Sequence, residues 1–312
     1  MKAPPFPPRP RASGRIQVRP ASETLGARVT GIDLSQPLTD TDFAVVLRAL
    51  GEHGVLCFPG QPIGPQALRS FSMRFGTLQL TPIGQMPGVP DVSVLSNMLE
   101  NGRHIGIPDA GQDWHTDMSY NAVPGFVNVL VAQKVPVRDG VVLGATDFTN
   151  TQAACADLPA DLLARLEGLT AVHDINKFWE HMRQAKGSPR PPMTPEQRAR
   201  HPASRHPVLL THPISGRKVL YVNPGFTERI EQLPAADSDR LLQELFGHIL
   251  QPKYRYTHRW SVGDLLLWDH IGTWHTAVAD YRADEHRLMI RCQVMADKIF
   301  DPAFTRQAFA AA

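Results

Sequence analysis

The stretch Gly111-Gln112-Asp113-Trp114-His115-Thr116-Asp117-Met118-Ser119-Tyr120 carries the strongest chemical signal in the chain, a His-x-Asp pair. In an extended segment, residues two apart face the same side, so the His115 imidazole and the Asp117 carboxylate converge on one point while Thr116 faces away. A single metal ion fits between them. Because His-x-Asp arises often by composition alone, the reading turns on a third ligand elsewhere.

That ligand is sought in Asp264-Leu265-Leu266-Leu267-Trp268-Asp269-His270-Ile271-Gly272-Thr273-Trp274-His275, which continues through Asp280-Tyr281 to His286-Arg287-Leu288-Met289-Ile290-Arg291. Both His270 and His275 qualify. Two His and one carboxylate on one face of a metal leave the other face open, the arrangement by which non-heme Fe(II) oxygenases bind a co-substrate and O2. A structural zinc site would instead close its shell with four protein ligands, usually including Cys. The cysteines, Cys57, Cys155 and Cys292, lie far apart with no Cys-x-x-Cys pair, so neither a disulfide framework nor a thiolate metal site is expected. Cys57 reads as a core thiol.

With 312 residues, 42% hydrophobic and 20% charged, the chain suits one large domain, read over 15–300. The Pro-rich start, Met1 to Gly14, reads as a disordered tail, and 301–312 as a C-terminal tail. A formal charge of +2, with no aromatic residues interleaved in basic runs, argues against nucleic acid as a partner. Neither a signal peptide nor a bilayer span is apparent, so no membrane partner and a cytoplasmic location are expected.

Helix patterns occupy Asp40 to Leu47, Pro65 to Phe75, Thr151 to Leu169 and Ala235 to Leu250, with Asp40-Thr41-Asp42 as a capped start. Strand candidates recur at Ile16 to Val18, Ala27 to Ile32, Val55 to Phe58, Val92 to Leu95, Phe126 to Ala132, Val141 to Gly144, Pro207 to Leu210, Val219 to Val222, Tyr254 to Thr257, Asp264 to Trp268 and His286 to Met295. Punctuated by Gly and Pro, they predict a mainly β fold with flanking helices, a double-sheet jelly roll. From about 174 to 206 the apolar alternation disappears, which marks an insertion and, as long functional loops often do, a lid. Phe178 and Trp179 are its best candidates for covering an apolar substrate. His181, His201 and His206 read as surface residues.

The chain resembles the taurine dioxygenase family of Fe(II)/2-oxoglutarate-dependent oxygenases, which includes the aryloxyalkanoate and alkylsulfate dioxygenases. The resemblance runs from about Leu25 to Lys298 through Thr30-Gly31-Ile32-Asp33-Leu34, Phe75-Gly76, Trp114-His115-Thr116-Asp117, Thr211-His212-Pro213, Val222-Asn223-Pro224-Gly225-Phe226-Thr227 and Trp268-Asp269. It implies a double-stranded β-helix core and a metal triad of His115, Asp117 and His275. Trp268-Asp269 and Asp280-Tyr281 fix that register and leave His270 where the family usually has Asn, as a hydrogen-bonding neighbour. Arg287 matches the arginine that holds the far carboxylate of 2-oxoglutarate, and Thr146 stands where a hydroxyl assists it, although Gly144-Ala145-Thr146 keeps only part of the family's Gly-Gly-acid-Thr.

Arg291, four residues beyond Arg287 on the same strand face, matches the arginine that grips the sulfonate of taurine. The resemblance therefore implies a small organic anion, such as a sulfonate, sulfate ester or carboxylate, hydroxylated at the expense of O2 and 2-oxoglutarate with release of succinate and CO2. Taurine itself is disfavoured. Thr81, Gly84 and Gly111 replace the family's polar contacts to its amine end, whereas Phe226 and Tyr120 supply pocket aromatics for a bulkier substrate. Family members often form homo-oligomers. The alternative from another class is a metal-dependent hydrolase on the same fold, separated by testing for 2-oxoglutarate and O2 dependence.

Overall fold

Eight strands pair in the order Gln17–Pro20, Ala27–Thr30, Val55–Phe58, Leu265–Asp269, Gly125–Lys134, Leu288–Met295, Val89–Ser96 and Gln85–Met86. All neighbours are antiparallel except Ala27–Thr30 with Val55–Phe58. The computed structural model describes residues 16–81, 83–108, 111–188 and 191–309. The tail from Met1 to Gly14 lies outside them, as does the end of the C-terminal tail.

The central strands are buried on both faces, which is why Val55-Leu56-Cys57-Phe58 and Leu265-Leu266-Leu267-Trp268 read as unbroken apolar runs. Helices Asp40–His53 and Pro65–Ser72 cover one face, sending Phe43, Leu47, Leu50, Leu68 and Phe71 into the core. The first helix is capped by Thr39, whose hydroxyl accepts from the Asp42 amide at 3.1 Å, so the cap falls one residue ahead of the expected Asp40. Asp40 and Asp42 then occupy the first turn, where the positive end of the helix dipole favours them.

Facing this sheet is a three-stranded one, Arg255–His258, Thr146–Asn150 and Thr273–Ala277. Phe148, Trp260 and Trp268 pack between the two. The expected 151–169 helix is two, Thr151–Ala156 and Ala160–Leu166, because Pro159 lacks an amide hydrogen and its ring clashes with the preceding turn. Strands Thr146–Asn150, Thr170–His173, Thr227–Ile230 and Thr273–Ala277 were not expected; their polar residues break the apolar alternation that marks a strand.

The 174–206 segment departs from Thr170–His173 and returns at Ser204–Pro207, strands that pair with each other. Between them lie helices Ile175–Gln184 and Pro195–Arg200. His206 is buried rather than on the surface, with its Nε2 2.9 Å from the Asn121 carbonyl oxygen.

Beside it His173 is fully buried, with Nδ1 3.2 Å from the Thr227 hydroxyl, and burial pulls its pKa down to about 3. An unfolded His takes up its proton near pH 6.5 while the native one resists until about 3, so stability falls as pH drops through that window. Urea unfolding at pH 7 and pH 5 is expected to differ by about 2 kcal/mol on account of this residue. His173→Asn should remove that part of the pH dependence.

Candidate active site

His115 and His275 face each other across a two-residue bridge, their backbones joined by hydrogen bonds of 3.1 and 2.8 Å. Their ring centroids are 4.3 Å apart. His275 is held by strand Thr273–Ala277, opposite Phe148 in the register, with Trp268 against its ring at 5.0 Å. His115 Nδ1 lies 2.6 Å from the Asp113 carbonyl oxygen, which fixes the proton on Nδ1 and leaves the Nε2 lone pair free.

His115 sits in an isolated bridge, not an extended strand, and Met118 has φ 61°, a left-handed turn. Asp117 Oδ1 lies 3.2 Å from His115 Nε2, and its Oδ2 lies 3.8 Å from His275 Nε2. Thr116 does face away, donating to the His270 carbonyl oxygen at 2.6 Å. Gly125 permits the turn, since a Cβ there would sit 2.9 Å from the Asp117 carbonyl oxygen and 2.7 Å from Met118.

Burial opposes ionisation of Asp117, but the neighbouring His115, and after it His275 and His270, hold its carboxyl well below the ordinary carboxylate range. Burial likewise lowers His275, with His115 adding to the effect. An ionised carboxylate and two His with available nitrogen lone pairs form a donor set suited to one divalent cation. Ligand atoms of these three lie within 4.8 Å of one another.

His270 was expected to hydrogen-bond beside the site. It is fully buried, yet neither ring nitrogen has a hydrogen-bond partner among the described residues, and its Nε2 stands 3.8 Å from Asp117 Oδ2. The residue that does hydrogen-bond to Asp117 is Asn128, at 3.1 Å. Its signal was a single amide inside the apolar run Phe126-Val127-Asn128-Val129-Leu130-Val131.

The His275 strand is anchored from behind. Asp269, fully buried, accepts from the Ile271 and Gly272 amides at 2.9 and 2.7 Å and from His212 Nε2 at 3.0 Å. His212 Nδ1 in turn accepts from the Ile214 and Ser215 amides, so its proton must be on Nε2. Asp269→Ala would strand three buried donors, and urea unfolding is expected to show a loss of about 3–5 kcal/mol, as for a broken buried pair. Asp269→Asn keeps an acceptor oxygen and should lose less.

A cavity of about 250 Å³ opens over the triad. Arg287, Arg291 and Thr146 line it, as do Tyr120 and Phe226, whose rings meet at 4.8 Å. Arg287 is buried with Nε unpartnered, and Thr146 Oγ1 accepts from Trp260 Nε1 at 3.0 Å. Gly144, at φ 70°, makes room for Arg287, since a Cβ there would lie 3.3 Å from its Nε. Arg291 Nε is also unpartnered, and its Nη1 is 3.8 Å from Asp117 Oδ2.

The 174–206 segment closes one side of this cavity with Ile175, Phe178 and Trp179; the Phe178 ring lies 5.7 Å from that of His115. It is tied down through Asp113, which meets His181 Nε2 at 2.8 Å and Lys186 Nζ at 3.1 Å. Of the positions thought to replace the taurine contacts, Thr81 and Gly111 line the cavity.

Residues 17–293 match the family described as taurine catabolism dioxygenase TauD, TfdA family. The chain is 32% identical over 293 residues to pentalenolactone F synthase of Streptomyces avermitilis, covering 89% of this chain and 92% of that protein. It is also 32% identical over 266 residues to the alpha-ketoglutarate-dependent 2,4-dichlorophenoxyacetate dioxygenase of Cupriavidus pinatubonensis, covering 81% and 89%. Among solved structures, a taurine dioxygenase from Burkholderia xenovorans superposes with a TM-score of 0.72 at 29% identity, covering 90% of each chain. No helix among the described residues is long and apolar enough to cross a membrane.

Proposed function

The chain belongs to the TauD/TfdA family and is a 2-oxoglutarate-dependent non-heme iron dioxygenase, and from that premise we propose that it hydroxylates a small organic anion bulkier than taurine. Sulfonates, sulfate esters and carboxylates are the candidate classes. The observation that carries this reading is Arg291, a largely buried guanidinium whose Nε has no hydrogen-bond partner among the described residues, facing the triad across a cavity whose walls include Ile83, Ile107, Phe178, Trp179 and Phe226. A buried cation calls for an anion, and the apolar wall for a hydrocarbon body.

His115, Asp117 and His275 would hold the Fe(II), and their donor set fits it. Arg287 would hold the far carboxylate of 2-oxoglutarate, with the Thr146 hydroxyl beside it, as a planar fork suits a carboxylate. When bound, iron and 2-oxoglutarate supply the oxidising power: O2 is consumed, 2-oxoglutarate becomes succinate and CO2, and one oxygen atom enters the substrate. Arg291 fixes the anionic end, so that a carbon near it faces the iron. Phe178 and Trp179 exclude water from the apolar end, the 174–206 segment serving as a lid latched through Asp113. Around them the two facing sheets form a double-stranded β-helix, and residues 15–300 make one domain. Family membership favours this oxygenase over the hydrolase reading.

The test is succinate release by Fe(II)-loaded protein with 2-oxoglutarate, over sulfonates, alkyl and aryl sulfates, aryloxyalkanoates and neutral analogues, with His115→Ala as blank. Stimulation by anions only is expected. Stimulation by neutral compounds alone would overturn the anionic substrate while leaving the oxygenase.

A further inference from the structure

A second constellation lies where the two sheets meet. Cys57 comes from the Val55–Phe58 strand of the large sheet, His258 ends the Arg255–His258 strand of the small one, and Asp264 lies in the turn between that strand and Leu265–Asp269. Their ligand atoms are within 4.8 Å of one another, and all three residues are buried. We propose that Cys57, His258 and Asp264 form a second metal site, taking Zn(II), that fastens the two sheets together.

Ordinary core packing does not account for this geometry. A His–Asp pair without a metal closes to about 2.7–2.9 Å when charged. Here His258 Nε2 stands 3.4 Å from Asp264 Oδ2 and makes no hydrogen bond, although His258 is only 6% exposed. In a tetrahedral site with bonds of about 2.0–2.1 Å, nitrogen and oxygen ligands are separated by about 3.4 Å. The ring is oriented from its other side, with Tyr256 Oη 3.5 Å from Nδ1 and the Trp260 ring edge-on at 4.8 Å. Asp264 is oriented by the Ser261 amide, which donates to Oδ2 at 2.9 Å.

The donor set decides the metal. A sulfur, a nitrogen and a carboxylate oxygen suit zinc, with water completing the shell where a closed structural site would have a fourth protein ligand, and they differ from the sulfur-free triad of the proposed iron site. Burial, and next the Asp264 carboxylate, push the Cys57 thiol up to about 12, so the metal-free site holds a thiol at neutral pH. Binding then exchanges the thiol proton for the metal, forming the sulfur–zinc bond and releasing H+ to solvent.

Cobalt(II) tests this, because thiolate ligation gives it a near-ultraviolet charge-transfer absorption that a His/Asp site lacks. Chelator-stripped full-length protein reconstituted with Co(II) is expected to bind two ions per chain and to show that absorption. His115→Ala/His275→Ala should bind one ion and keep the absorption; Cys57→Ser should bind one and lose it. Should Cys57→Ser not fold, His258→Gln is expected to lose one equivalent with the proposed iron site intact. One ion per chain in the wild type without thiolate absorption, an absorption that survives Cys57→Ser, or two ions retained by His258→Gln would each overturn the second site.

Discussion

Replacing His275 by Ala is expected to lower succinate formation by about a thousandfold or more, beyond the 10- to 100-fold typical of groups that only orient a metal ligand. The same change at His270 is expected to stay within that smaller range. Both rings are buried and both place Nε2 3.8 Å from Asp117 Oδ2, so this one distance does not rank them. The difference lies in the rest of the geometry. His275 is bridged to His115 through two backbone hydrogen bonds, and only with His275 do three ligand atoms gather within 4.8 Å around Asp117 among the described residues. Iron content and initial rates for both variants check the assignment, and the reverse ranking would make His270 the ligand.

Arg291→Met is expected to cut kcat/KM for an anionic substrate by about 100- to 1000-fold, most of it in KM. Charge-assisted hydrogen bonds contribute about 1.5–3 kcal/mol each, and every 1.4 kcal/mol is tenfold. Met keeps most of the apolar stem, so the loss isolates the charge. Because Arg291 Nη1 is 3.8 Å from Asp117 Oδ2, the iron content of the variant must be measured as well. Retained iron together with retained slow 2-oxoglutarate turnover in the absence of substrate locates the defect in substrate binding. An unchanged KM would remove Arg291 as the anchor and leave it as a counter-charge to Asp117.

How far the sequence carried this reading depended on what each residue answers to. Helices such as Ala235–Ile249 and strands such as Val55–Phe58 follow from local apolar pattern, and they lie where the pattern puts them. Strands Thr146–Asn150 and Thr273–Ala277 escaped it because their Thr, Asp, Asn and His residues interrupt the apolar alternation that marks a strand. The convergence of His115 and Asp117 was readable from their spacing, and the chain turns at a left-handed Met118 just beyond them. Buried His206 and the grouping of Cys57 with His258 and Asp264 depend on contacts between distant segments, and no spacing rule registers them.

The bridge between His115 and His275 also sets an order of events. Its two halves are separated by more than half the chain, and strand Thr273–Ala277 is held by Thr146–Asn150 and by the Asp269 turn, both far from His115 in sequence. A nascent chain therefore cannot present both imidazoles until the polypeptide beyond His275 has left the ribosome and the long-range pairings have closed, a slow class of folding event. Metal capture at this site would thus report completion of the fold. It would also act back on it, since an ion bound only by the native state pulls the equilibrium toward that state by mass action.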